Sequence, residues 1–109
     1  MIDPVAIQAE ILKGMAHPTR IRILEMLRNG ELCVCEIMEN LQLEQSNVSQ
    51  HLAILRKLGL IAARKDGLKM MYNLRRPEVL TVVDTVREML CSQAKEAAAM
   101  LETHGSNAM

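Results

Sequence analysis

Apolar positions recur at helical spacing along most of the chain. Val5, Ala9, Leu12, Met15 and Ala16 predict a first helix over 5–16. His17-Pro18 breaks it, because the residue before a proline is pushed out of the helical region. Pro18 itself suits the first turn of a second helix, where a missing N–H is no loss. Ile21, Leu24 and Leu27 align on one face of that helix, over 18–28, and Asn29-Gly30 closes it. Val34, Ile37, Met38 and Leu41 mark a short third helix over 33–41. After a turn at 42–45, Ser46 is the expected N-cap of a helix reaching about Leu58. Its inner face is Val48, Leu52, Leu55 and Leu58, its outer face Asn47, Gln50, His51 and Lys57, and Gly59 stands where it ends.

The period then changes. Leu60–Lys65 and Lys69–Leu74 are short segments flanking Asp66-Gly67, a strong hairpin signal. Pro77 restarts helix, and residues 78–102 carry a wide apolar stripe: Val79, Val82, Val83, Val86, Met89, Leu90, Ala94, Ala97, Ala98 and Leu101. That stripe is too broad for a lone surface helix on so small a body, which predicts packing against another subunit. The tail from Thr103 is expected to fray. The expected fold is mainly α with a small two-stranded β-hairpin wing: a homodimeric winged helix-turn-helix, with residues 1–109 as a single domain. The recognition helix falls at about 46–58, the wing at 60–75 and the dimerisation helix at 78–102.

Composition sharpens this picture at two points. Half the residues are hydrophobic, yet Phe and Trp are absent and Tyr72 is the lone aromatic, so the core is aliphatic and methionine-rich. No apolar run approaches the ~18–20 residues a membrane span needs. Residues 1–16 lack the basic start and apolar middle of a signal peptide, which predicts a cytoplasmic protein. Net charge is zero, but its distribution is uneven. Residues 46–76 hold Arg56, Lys57, Arg64, Lys65, Lys69, Arg75 and Arg76 against Asp66 alone, while the segments on either side are acidic. A confined basic stripe is the footprint of phosphate binding.

Two helices joined by a short turn and followed by a hairpin place the second helix in a major groove, its N-terminal side chains at base edges. Those are Ser46, Asn47, Ser49, Gln50 and His51. Asn and Gln pair with adenine through two hydrogen bonds, and Ser reads several bases or holds phosphate. Arg64, Lys65 and Lys69 on the wing would meet the backbone or minor groove. The expected partner is double-stranded operator DNA, with no membrane. No Ser/His/Asp order, phosphate loop or paired-carboxylate motif points to an enzyme. A pure protein-interaction module would explain the long apolar helix but not the basic stripe.

The runs HPTRIRILEMLRNGELCVCEI and SNVSQHLAILRKLGLIAARKDGLKMMYNL resemble the ArsR/SmtB family of metal-responsive repressors, over about residues 7–93. The piece ELCVC resembles the arsenic-responsive branch in particular. The resemblance implies a homodimer built on the first and last helices, and a repressor that leaves its operator when an inducer binds.

Cys33, Cys35 and Cys91 are the only thiols, an odd count that argues against a structural disulfide framework. Two thiols two apart at a helix start favour soft, thiophilic ions, and the helix dipole favours their thiolates. Positions i and i+2 lie ~200° apart around a helix. Both sulfurs would therefore grip one ion only if the first turn of the third helix unwinds, displacing Ser46–His51. The inducer expected is As(III) or Sb(III), with another thiophilic metal as an option and no cofactor required. Where the arsenic-responsive branch has a third cysteine, this chain has Met38. The third ligand is then Cys91, brought in by the fold or the dimer, or a solvent molecule. Other sensor types in the family fit less well. For the zinc type, Asp84 is present but Val86 stands where a histidine is expected. For the cadmium and lead type, residues 1–16 hold no cysteine. The main alternative is a persulfide- or oxidant-sensing type, which joins a last-helix cysteine, matched by Cys91, to a second-helix position that is Glu25 here. Cys33 or Cys35 would substitute as the partner of Cys91 only within disulfide reach, roughly 4.4–6.8 Å between Cα atoms.

Overall fold

The computed structural model describes residues 2–107, with side chains described from 2 to 102. Helix α1 (Pro4–Met15) starts where the Asp3 carboxylate accepts the Val5 N–H at 2.9 Å. Helix α2 (Pro18–Met26) starts in the same way, with His17 Nδ1 accepting from Thr19 N at 3.1 Å and Pro18 in the first turn. A 3₁₀ turn (Leu27–Asn29) follows. Then come strand β1 (Leu32–Cys33), α3 (Val34–Leu41), α4 (Gln45–Lys57), β2 (Ile61–Asp66), β3 (Lys69–Leu74) and α5 (Glu78–Asn107).

The core is aliphatic. Ile23 and Leu24 of α2, Ile37 of α3, Val48, Leu52 and Leu55 of α4, Leu60, Ile61 and Val79 are all buried in one cluster. Each such side chain contributes roughly 1.5–3 kcal/mol by leaving water. These contacts lock α2, α3 and α4 together, which fixes the angle at which α4 is presented.

The structure departs from the sequence-based expectations at several points. The β2–β3 hairpin is the expected two-stranded wing, but its sheet is larger than expected: β1 adds a third antiparallel strand in the order β1-β3-β2, pairing Leu32 with Tyr72 and Cys33 with Met71. Two residues carry no periodicity of their own, so only the partner strand reveals them. The hairpin turn is Gly67-Leu68, because Asp66 pairs with Lys69 inside the ladder. Gly67 supplies the positive φ of 63° that the turn needs. Helix α3 begins at Val34 rather than Cys33, and α4 is capped by Glu44, which leaves Ser46 inside the first turn instead of at the N-cap. Helix α5 continues to Asn107 rather than fraying from Thr103, and the last two residues of that expected tail lie outside the described residues.

The stripe on α5 is left open. Val86 is 59% and Leu90 65% exposed, facing Leu12 of α1, itself 54% exposed. Leu12, Met15, Val82, Val86 and Leu90 help line an apolar groove of about 470 Å³ between the two helices. Among the described residues no helix is long and apolar enough to cross a membrane.

Candidate nucleic-acid interface and thiol site

Helix α4 presents two kinds of surface. Near its start, Ser46, Asn47 and Gln50 line an open recess with Gln42, Leu43 and Glu44. All three, together with Ser49, are exposed, as a base-reading edge requires. His51 differs from the outward position expected of it. It is half-buried, its Nδ1 accepts from Arg20 Nε at 3.2 Å, and its ring lies 4.5 Å from that of His17. Arg20 in turn donates to the Gly14 carbonyl at 2.9 Å, so this cluster ties α4 to α1 and α2. Burial first, then the charges of His17 and Arg20, hold His51 below the ordinary histidine pKa.

The cations of the basic stripe divide by what holds them. Arg64 on β2 donates through Nε to Glu31 at 2.8 Å and through Nη2 to the other carboxylate oxygen. This fork keeps the Glu31 carboxyl below its usual range. Lys65 and Lys69, by contrast, are exposed and have no ion pair among the described residues. Arg56 and Lys57 on α4 are likewise exposed and unpaired; both were evident in the charge stripe but not among the DNA-reading positions. The signal that could have found them is their spacing, since Ser49, Ala53 and Arg56 share one helical face.

On the opposite edge of the wing sheet, across β3 from Arg64, Cys33 and Cys35 meet. Their sulfurs are joined in a disulfide with a Cα–Cα distance of 5.3 Å. Cys33 is extended (φ −81°, ψ 160°) and serves as the N-cap of α3, so it does not sit on the helix at all. That removes the premise that the sulfurs point ~200° apart, which holds only when both residues are helical. The pair comes together with the first turn of α3 intact. Cys33 Sγ accepts from Glu36 N at 3.3 Å, and Glu36 Oε1 accepts from Cys33 N at 3.1 Å, a reciprocal capping box. Cys33 is buried and Cys35 exposed.

Cys91 is an exposed free thiol on α5. Among the described residues of one chain, no three His, Cys, Asp or Glu side chains are grouped to hold a metal, so the fold does not bring Cys91 to the pair. Asp84 is also committed elsewhere. Arg28 donates to its two oxygens at 2.6 and 3.2 Å while also binding Glu25, and Arg87 donates to Glu25 at 3.0 Å. This network fastens α5 to α2 and holds both carboxyls below their usual range. The side chain of His104, a histidine in the C-terminal tail that would be a further ligand candidate, lies outside the described residues.

A helix-turn-helix followed by a sheet-backed wing, with a polar recognition edge and unpaired cations, defines a DNA-binding transcriptional regulator. Residues 17–63 match the model of the family described as "Bacterial regulatory protein, arsR family". The chain is 39% identical over 97 residues to the uncharacterized HTH-type transcriptional regulator Rv0081 of Mycobacterium tuberculosis, covering 88% of this chain and 85% of that protein. The crystal structure of Rv0081 superposes with a TM-score of 0.78 over 89% of this chain and 99% of that one, at 36% identity. HlyU of Vibrio cholerae superposes with a TM-score of 0.73 over 84% of this chain and 99% of that one, at 38% identity. The arsenical resistance operon repressor of Staphylococcus xylosus is 42% identical over 64 residues, 59% of this chain and 62% of that protein. The chain belongs to the ArsR family of transcriptional regulators, whose fold and relatives are regulatory rather than enzymatic.

Proposed function

We propose that this regulator is a cytoplasmic, homodimeric repressor that binds operator DNA through α4 and the wing, and is released when As(III) or Sb(III) binds Cys33 and Cys35. The observation that carries the reading is the meeting of the two sulfurs at a residue that is both the cap of α3 and the end of β1. Two adjacent thiolates suit a soft trivalent ion, and reduction of the disulfide frees both. The third donor is solvent or Cys91 of a second copy, because one chain does not bring Cys91 to the pair. The name of the Staphylococcus xylosus relative points in the same direction.

The route from thiols to DNA runs through the sheet. Cys33 pairs with Met71 of β3, which pairs with Arg64 of β2, and Arg64 is held by Glu31 just before β1. An ion that prefers a different setting of Cys33 and Cys35 would shift β1 and with it the wing. Its leverage equals its differential affinity for the two settings. The open α1–α5 face supplies the surface for a second copy, which a two-fold operator requires.

The disulfide also favours a second reading, in which the pair itself is the redox sensor. Two thiols then yield two electrons and two protons to a peroxide or disulfide oxidant, forming the Cys33–Cys35 bond. Operator binding by fluorescence anisotropy separates these readings. Reduced wild type, Cys33→Ser, Cys35→Ser and Cys91→Ser are titrated with As(III), Cd(II), Zn(II), a persulfide donor and hydrogen peroxide. Release by As(III) that needs Cys33 and Cys35 supports the metalloid reading. Release only by the persulfide donor or an oxidant replaces it with the redox reading.

A further inference from the structure

A second recess lies beside α4, on the flank that faces the wing. Ser49, Leu52, Ala53, Arg56, Lys57 and Tyr72 line a cleft of about 440 Å³. Leu52 is buried beneath it, and Tyr72 reaches it from the middle strand of the sheet, where it pairs with Leu32 on one side and Ala63 on the other. Two cations and two hydroxyls therefore converge on one opening. None of these four side chains has a hydrogen bond or ion pair among the described residues, whereas Arg28, Arg64 and Arg87 are all neutralised by carboxylates. Unpaired cations beside unspent hydroxyl donors form a site for a tetrahedral oxyanion, with the guanidinium able to bind two oxygens.

We propose that this cleft seats a backbone phosphate of the bound duplex, with Arg56 and Lys57 supplying charge and Ser49 and Tyr72 supplying hydrogen bonds. The proposal rests on the DNA-binding reading above and says where the duplex backbone passes. Lys57 lies ~10 Å along the helix axis from Gln50, at a rise of ~1.5 Å per residue. That matches the step from base edges to groove wall in a major groove ~12 Å wide. The N-terminal half of α4 then reads bases while its C-terminal half fixes register on the backbone. Arg64 is held by Glu31 in the free chain, so it would reach a phosphate only by leaving that carboxylate.

The test compares full-length wild type with Arg56→Gln, Lys57→Gln, Tyr72→Phe and a control, Lys95→Gln on α5. Binding is measured between 50 and 200 mM salt to two duplexes: one selected from a random pool by the wild type, and one of scrambled sequence. Each lost phosphate contact lowers the slope of log affinity against log salt by ~0.9, so Arg56→Gln and Lys57→Gln should each lose ~3-fold less affinity than wild type across that range. Both should weaken the two duplexes equally, since the backbone is common to them. Tyr72→Phe should weaken both duplexes without changing the slope, and Lys95→Gln should behave as wild type. Wild-type slopes in both α4 variants would overturn the proposal, and so would a loss confined to the selected duplex, which marks base reading. Saturable binding of inorganic phosphate or pyrophosphate by the free protein, lost in Lys57→Gln with the DNA slope unchanged, would assign the cleft to a small phosphate compound and overturn it too. If the wild type itself shows no salt-dependent duplex binding, the DNA reading fails and this proposal fails with it.

Discussion

Cys33 does two jobs that substitution can separate. Its sulfur is half of the thiol pair, and the same atom caps α3 by accepting the Glu36 N–H. Cys33→Ala removes both, and leaves the Glu36 N–H without its side-chain partner at the start of α3. Losing an N-cap costs about 1 kcal/mol, within a range of ~0.5–2. Cys33→Ser keeps an acceptor in the same place, and a hydroxyl is a better cap than a thiol, so its stability should stay within ~0.5 kcal/mol of the reduced wild type. The two variants should therefore differ by about 1 kcal/mol, or ~4 °C in Tm for a chain of this size. The assay is urea unfolding under reducing conditions at one fixed protein concentration, because a dimer's stability depends on concentration. Glu36→Ala, which removes the reciprocal bond to Cys33 N, should be less damaging in the Cys33→Ala background than in wild type, because the two residues act as one box. Both Cys33 variants should lose release by As(III). Equal stability of the Ala and Ser variants, or strict additivity with Glu36→Ala, would refute the capping argument.

Three further outcomes follow from the geometry. A Cβ at Gly14 would collide with Leu58 Cδ1, so Gly14→Ala should destabilise by about 1 kcal/mol despite its better helix propensity, and should become stabilising by ~0.5–1 kcal/mol in a Leu58→Ala background; denaturation midpoints of the four proteins read the sign. His51 has a native pKa below its unfolded value of 6.5, so the native state binds fewer protons than the unfolded one; stability should be full above pH 6.5 and fall as pH drops through that value toward the native pKa, a loss that pH-dependent unfolding should find reduced in His51→Gln. Leu90→Glu places a charge on the open α1–α5 face, so sedimentation velocity should show monomer at micromolar concentration with operator affinity lowered; an undisturbed dimer would mean that this face is not the interface.

The apolar periodicity by itself determined the helices, the hairpin and the order that makes a winged helix-turn-helix, because each depends on contacts between near neighbours in the chain. Pro18, Gly59, Gly67 and Pro77 act through their own backbone geometry, so their meaning is local and legible. The charge stripe and the ELCVC spacing likewise pointed to DNA and to thiol chemistry. Tertiary structure decided what those residues are paired with. Strand β1 exists only because β3 lies beside it, and that pairing takes Cys33 off the helix and lets its sulfur meet that of Cys35. Glu31 and Arg64 are far apart in sequence, as are Arg20 and His51, yet each pair is in contact, which changes which cation is free for phosphate and which ring is free for a base. The α4 cap falls at Glu44 rather than Ser46, two residues after the left-handed Gln42 (φ 55°) that ends α3, a backbone choice that propensity alone does not specify. Local physics sets the elements; the long-range contacts that dock them decide which side chains are left over to bind.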